Sequence, residues 1–213
     1  MPSAGIGRRG FLEAFGGIIA AAATHPRAAV VISDDLYVNR KLGLAFAKPT
    51  GWGYERITTF RDLRDDYELA SVDPAADELF HSGELPIAVV TQAPVTKKIS
   101  ASFTVYVEHC PLEPDQTLLG VLPLVLRHYQ RLFREFKVTE GPVGMRICGY
   151  ESASYLASFI YEDSKGKYFP VRHRGVITMR APLLYTFNMM DIPEMGIRAQ
   201  AQFDEVVGSI RYV

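Results

Sequence analysis

Cysteine and tryptophan are scarce in this chain of 213 residues, which has two cysteines and one tryptophan. Neither sign of charge is in excess, since 23 lysines and arginines stand against 24 aspartates and glutamates. This balance disfavours binding to nucleic acid through bulk charge. The apolar stretch at residues 15–23 is far shorter than the ~20 strongly apolar residues of a membrane span, so we predict no transmembrane segment in the mature chain.

The motifs of the common enzyme classes are also absent from the sequence. There is no Gly-x-Ser-x-Gly elbow, no His-Glu-x-x-His or Cys-x-x-Cys pair, and no phosphate-binding loop between a strand and a helix. Four histidines beyond the N-terminal segment are far apart along the chain, which favours structural roles: His81, His109, His128 and His173. We therefore predict no catalytic residue, no cofactor and no metal site.

The sequence before residue 30 has the pattern of an export leader. Residues 8–12 read Arg8-Arg9-Gly10-Phe11-Leu12, and a run dominated by glycine and alanine follows up to Ala23. The pattern resembles the twin-arginine signal, an address that is read by a receptor. We predict a leader at residues 1–29 and one globular domain at residues 30–213. The predicted cleavage follows Ala23, and a later cut near Ala28 or Ala29 is the alternative. An amphipathic N-terminal helix or a mitochondrial-type presequence is the alternative.

Short alternating or β-branched runs predict an antiparallel sheet. In chain order, the predicted strands are 36–39, 44–47, 86–95, 102–109, 147–161, 167–174, 175–179 and 183–189. The third and fourth are expected to be antiparallel neighbours. Gly43 marks a turn between the first two strands, residues 163–166 form a hairpin turn, and Gly149 marks a bulge or a close backbone approach.

The clearest helical signal lies in the middle of the chain. Apolar residues recur at intervals of three and four from Leu122 to Phe136, which predicts an amphipathic helix with Pro123 in its first turn. A helix that begins near Asp115 and is kinked at Pro123 is the alternative. Arg127, Arg131 and Arg134 then fall together on its opposite face. Because guanidinium groups bind carboxylates and phosphates, these arginines are a candidate contact for an anionic partner. A solvated helix surface is the alternative.

A second helical segment begins at Ala199 and stops at Gly208. The chain therefore runs through strands, a helix, more strands and a helix. This order predicts an α+β domain with helices packed on an antiparallel sheet. Residues 172–174, Arg172-His173-Arg174, are a further candidate anion contact that we interpret as an exposed strand end.

The two cysteines are Cys110 and Cys148. In an oxidising compartment they could form a disulfide. Closing a loop of ~39 residues would contribute about 4 kcal/mol in the chain-entropy model. Two buried thiols are the alternative, because unpaired cysteine is among the most buried residue types.

Three short segments share their pattern with one known family. Residues 43–52, an apolar strand that runs into Pro-Thr-Gly-Trp, are similar to its opening strand and Pro-x-Gly-Trp turn. Residues 147–153 are similar to its Gly-x-x-Ala strand after a long central helix, and residues 203–212 to its terminal helix ending in Ser-Phe-x-Phe. Together they resemble the PsbP-like family, named for an extrinsic subunit of photosystem II. The resemblance covers residues 36–213 and implies an α/β/α sandwich around a central antiparallel sheet.

The resemblance and the leader together imply an exported, non-catalytic module in the periplasm or otherwise beyond the cytoplasmic membrane. The photosynthetic members of the family are assembly and stabilising subunits. The expected partner is an envelope protein or a small ligand. The alternatives are a cofactor-dependent or hydrolytic periplasmic enzyme and a carrier with an apolar pocket between sheet and helix, since a fold alone does not decide between them.

Overall fold

The computed structural model describes residues 30–33, 35–57, 85–92, 100–109, 116–162 and 166–213. The described residues form two compact units. The first contains the described residues up to Trp52 together with Ile197–Val213, and the second contains the described residues of 53–196. The assignment of residues 30–213 to one domain stays a prediction.

The first unit contains a four-stranded antiparallel sheet and a helix. Its strands are β1 (Val30–Ile32), β2 (Leu36–Asn39), β3 (Leu44–Ala47) and β11 (Arg211–Tyr212), in the order β1-β2-β3-β11, and its helix is α2 (Gly196–Ser209). The predictions for β2 and β3 are confirmed, and Gly43 turns between them at φ +63°. The end of α2 is joined to β3, because the Ala47 N–H donates to Ser209 Oγ at 2.8 Å.

The second unit is built on a seven-stranded antiparallel sheet in the order β4-β5-β6-β10-β9-β8-β7. Its elements are β4 (Gly53–Tyr54), β5 (Ala88–Thr91), β6 (Ser102–His109), α1 (Leu118–Leu132), β7 (Arg134–Ile147), β8 (Tyr150–Glu162), β9 (Tyr168–Arg180) and β10 (Leu183–Asp191), followed by a 3-10 turn at Pro193–Met195. The structure confirms the predicted bounds of β6 and its antiparallel pairing with β5. The two strands predicted at 167–179 are one continuous strand, β9.

The prediction of one strand over residues 147–161 is wrong at its beginning. Ile147 ends β7, and Cys148-Gly149 is the two-residue turn into β8, with φ values of +50° and +85°. A hairpin turn of this kind needs positive φ at both central residues, so Gly149 serves the turn and not a bulge. The strand β7 was missed because Gly141, Pro142 and Gly144 lie inside it, and its pairing with β8 is interrupted by register shifts.

The central helix is displaced from its predicted position by about one turn. It begins after the N-cap Thr117, whose Oγ1 accepts from the Gly120 N–H at 3.2 Å. It ends at Leu132, because Phe133 already has extended backbone angles. Arg134 is therefore the first residue of β7, and the prediction that three arginines share one helix face is wrong for this residue.

The described architecture is α+β, two antiparallel sheets with two long helices, which confirms the predicted fold class. Every strand pair among the described residues is antiparallel in both sheets. Across the described ranges, neither α1 nor α2 combines the length and the apolar character that a membrane-crossing helix requires.

Candidate functional site

The face of the seven-stranded sheet beneath α1 carries a buried core of the second unit. Strand pairing sets its composition, since residues that face each other across two strands point to the same side. Ala153 pairs with Ile177, Tyr155 with Gly175 and Ala157 with His173, and these residues alternate toward α1. The core under the helix is completed by buried apolar side chains of α1, β7, β8 and β9: Leu118, Leu122, Leu126, Phe136, Phe159 and Val171.

An apolar cavity of about 320 Å³ lies at the N-terminal half of this helix. The described residues that line it come from α1, from position 116 before the helix, and from β8, β9 and β10. They are uncharged, and all but one are apolar: Gln116, Leu118, Val121, Leu122, Leu124, Val125, Ala153, Ile177 and Leu184. The volume lies at the lower end of the range of ligand pockets, roughly 300–1,000 Å³.

Part of the cavity wall is exposed to solvent. Leu124 and Val125 line the cavity while being 60% and 38% exposed, and neighbouring Leu119 is 43% exposed. Leu119 packs over the backbone of β7 at Gly144, where an added Cβ would lie 3.0 Å from Leu119 Cδ1. The cavity is therefore bordered by large apolar side chains that reach solvent, a feature typical of binding sites.

A cluster of polar groups lies farther along the same sheet face and is sealed from solvent. His173 is 2% exposed, and its ring is 5.5 Å from that of Tyr155 and 5.9 Å from that of Tyr129. His173 Nε2 donates to Asn188 Oδ1 at 3.1 Å, whereas Nδ1 has no hydrogen-bond partner among the described residues. Burial lowers the pKa of His173 to about 4, so the ring is neutral at neutral pH.

The two phenols beside His173 are also held in their protonated form. Burial raises the pKa of Tyr155 well above its ordinary value, with a further contribution from Tyr129. The ring of Tyr155 lies over Gly175, where an added Cβ would be 2.3 Å from Tyr155 Cε1. Only glycine leaves room for this ring. The imidazole of His173 and the phenol of Tyr155 are buried, and the phenol of Tyr129 is partly buried, so these three side chains pack within the core under α1.

The interpretation of residues 172–174 as an exposed strand end is wrong. They lie within β9, and His173 is buried. Arg172 pairs with Asp191 across β9 and β10, with Nε 2.9 Å from Oδ1 and Nη2 2.5 Å from Oδ2. The hydrogen bonds to this carboxylate raise the pKa of Arg172. This guanidinium is therefore engaged within the sheet, and so it is not the contact for an external anion that the sequence suggested.

The structure brings two of the three other candidate arginines together. Arg127 and Arg131 are exposed one turn apart on α1. Arg134 lies over the ring of Tyr168 at 4.7 Å from its centroid, and its Nε is 3.8 Å from Glu135 Oε1. Whether these arginines contact an anion stays a prediction.

The remaining predicted site residues are not tested by the structure. Cys148 is exposed in the turn between β7 and β8, but Cys110 lies outside the described residues, so their pairing stays a prediction. The export residues Arg8, Arg9, Phe11 and Leu12 also lie outside them. In the portion of the chain that is described, no three His, Cys, Asp or Glu side chains group as metal ligands.

The sequence predicted an apolar pocket between sheet and helix only as one alternative, and it did not identify the residues that line the cavity. Its lining belongs to the apolar stripe of α1 and to three strands that pair only in the folded sheet. One signal was present in the sequence: Leu119 and Leu124 are large apolar residues that lie outside the stripe, on the side of the helix where polar residues are expected.

The chain was compared with known proteins. No protein-family model and no curated protein sequence match it. Among solved structures, the cyanobacterial PsbP protein CyanoP from Synechocystis is 14% identical, with a TM-score of 0.52 over 86% of this chain and 95% of that chain. LpqN of Mycobacterium tuberculosis, described as involved in cell envelope biogenesis, is 9% identical, with a TM-score of 0.46 over 78% of this chain and 81% of that chain. A Pseudomonas aeruginosa protein is 11% identical, with a TM-score of 0.45 over 85% of this chain and 96% of that chain.

The likeness to CyanoP shows that the chain has a PsbP-like fold. This confirms the fold that the resemblance of residues 36–213 implied. At 14% identity the likeness carries the fold alone, and the function has to be argued from the site.

Proposed function

We propose that the protein is an exported, non-catalytic module of the cell envelope that holds an apolar group of its ligand in the cavity under α1. The observation that supports this is the cavity of about 320 Å³ itself, with its uncharged lining of described residues. A concave apolar site favours a small ligand over a flat protein surface. No arrangement among the residues that the structure describes favours the enzymatic alternative.

The volume limits the size of the bound group. It corresponds to roughly ten water molecules at about 30 Å³ each. Each methylene that leaves water contributes about 0.8 kcal/mol, so a chain of about eight would contribute roughly 6 kcal/mol before the cost of association. The lining offers one polar side chain, Gln116, so a charged or polar head group stays outside the cavity.

Export is the part of the proposal that the N-terminal sequence supports. Replacing Arg8 and Arg9 by lysine is expected to leave the precursor in the cytoplasm, because the twin-arginine receptor reads the arginine pair and not its charge. Fractionation of cells followed by immunoblotting measures this. The double replacement of exposed Arg56 and Arg198 by lysine is the control and is expected to be exported normally. Unchanged export of the first variant would refute a twin-arginine signal.

Val121→Phe is expected to weaken binding of decanoate at least tenfold, because the added ring occupies the cavity that Val121 lines. Isothermal titration calorimetry measures the dissociation constant. The matched control is Val143→Phe, since Val143 is 59% exposed on β7 and does not line the cavity. Equal affinities of the two variants, or no binding of decanoate by the unmodified protein, would contradict the proposed ligand site.

A further inference from the structure

We infer that the outer face of α1 docks on an anionic lipid surface. The outer face is defined by exposed residues of this helix: Leu119, Gly120, Pro123, Leu124, Arg127 and Arg131. The inference goes beyond the proposed function, because docking uses the outside of the helix and does not need the cavity to be filled.

The apolar half of this face is unusually exposed. Two large apolar side chains of this face, Leu119 and Leu124, are 43% and 60% exposed, and Val125 beside Leu124 is 38% exposed. Single exposed apolar residues are ordinary on protein surfaces, whereas several large ones in the first turns of one helix are typical of an interaction site. The group lies in the first two turns of α1, and Leu124 is the most exposed of the three.

The charge on the same helix has one sign. Leu118–Leu132 contains Arg127 and Arg131 and no aspartate or glutamate. Leu124, Arg127 and Arg131 are spaced i, i+3 and i+7, so they form one stripe along the outer face. Exposed apolar residues beside cations on one helix face are typical of helices that lie at a membrane interface, where the apolar side chains enter the acyl boundary and the cations meet anionic head groups.

The position of the cavity argues for lipid over an acidic protein as the partner. Leu124 and Val125 belong both to the exposed surface of α1 and to the cavity wall. A lipid whose head group meets the arginines therefore has an uncharged opening beside it for part of one acyl chain. An acidic protein would match the arginines but would leave the exposed leucines and the cavity without a role.

The size of the effect can be bounded from the two arginines. A basic side chain near an anionic membrane strengthens binding about fivefold at physiological salt, so two give roughly 25-fold. Leu124 adds to this through the area that it buries. Docking of this strength is reversible, and raising the salt concentration weakens it because the charges are screened.

Co-sedimentation of the full chain with sucrose-loaded vesicles tests the inference. One set of vesicles is phosphatidylcholine alone, and the other contains an equal amount of phosphatidylglycerol. Leu124→Asp and the double variant Arg127→Glu/Arg131→Glu are each expected to bind the anionic vesicles at least tenfold more weakly than the unmodified chain. All chains carry the same N-terminal segment, so differences between them report on α1.

Matched controls change the same residue types elsewhere. Ile32→Asp replaces a side chain that is 55% exposed, and Arg56→Glu/Arg198→Glu reverses two exposed arginines. Both variants are expected to bind the anionic vesicles within twofold of the unmodified chain. Raising the salt to about 0.5 M NaCl is expected to remove most binding by the unmodified chain, because the charges are then screened. Each variant is expected to fold, because all substituted side chains are exposed. Circular dichroism measures this.

The result that overturns the inference is binding by the α1 variants equal to that of the unmodified chain, or no preference for anionic vesicles. If the unmodified chain binds neither vesicle, lipid docking is refuted and the arginines are left to an acidic protein. Val121→Phe separates this outcome from failure of the ligand site, because it is expected to lose decanoate while keeping its preference for anionic vesicles, which depends on the arginines outside the cavity.

Discussion

Arg172→Met is expected to lower the free energy of unfolding by about 3–5 kcal/mol, the cost of leaving a buried charge without its ionic partner. The carboxylate of Asp191 is fully buried, and Arg172 holds it through two hydrogen bonds of 2.9 and 2.5 Å. Methionine fills a similar volume but donates no hydrogen bond. Urea unfolding at neutral pH, followed by circular dichroism, measures the change.

The two halves of this ion pair are not equivalent. The guanidinium of Arg172 is 26% exposed, so after Asp191→Leu it keeps part of its hydration, and we expect a smaller loss of about 1–2 kcal/mol. The double variant Arg172→Met/Asp191→Leu removes both charges and is expected to be close to the unmodified chain. If the two single variants lost equal free energy of unfolding, the larger cost would not come from leaving the buried carboxylate of Asp191 without its ionic partner.

Stability is also expected to fall steeply in mild acid because of His173. The pKa of this side chain is about 4 in the folded chain, against 6.5 when it is free in water. The unfolded chain therefore binds more protons between these values, so the contribution of His173 to stability is complete above pH 6.5 and is lost as the pH falls toward 4. The loss amounts to about 3 kcal/mol between pH 7 and pH 4.

His173→Leu is expected to remove this part of the pH dependence, because leucine carries no titratable group. The variant loses the bond to Asn188, so its stability at pH 7 is lower, and the comparison concerns the slope with pH. His109→Asn is the control, since His109 is exposed and its removal is expected to leave the slope unchanged. Urea unfolding at pH 7, 5.5 and 4.5 measures both variants. A slope that persists in His173→Leu would assign the acid sensitivity to other groups.

These two predictions concern the buried polar groups of the second unit, which we call its sealed part. The proposed function concerns the cavity under α1. The ion pair of Arg172 and the cluster around His173 connect β8, β9 and β10, which pair in one defined register. That register is what places Ala153, Ile177 and Leu184 beneath α1 as the floor of the cavity. Variants of the sealed part are therefore expected to change stability first, whereas variants of the outer face and of the cavity are expected to change binding alone.

The sequence alone was enough to predict those strands whose residue pattern is complete within a few positions. The strands at 36–39, 44–47 and 102–109 were predicted with their observed bounds, because a short apolar run or an alternating one bounded by turn residues is a local signal. The α+β class followed from the order of these elements. The helix α1 was predicted about one turn too late, since its apolar stripe continues into Phe133 and Phe136, which pack on the same core from outside the helix.

Only the tertiary structure decided the features that depend on partners distant in the chain. The edge strand β7 contains residues that disfavour strands, and it exists because β8 supplies its hydrogen bonds. The pairing of Arg172 with Asp191, the burial of His173 and the cavity all require β8, β9 and β10 to lie side by side. Sequence carries the propensity of each segment, but a cavity is space left between segments, and its shape is set by how they pack.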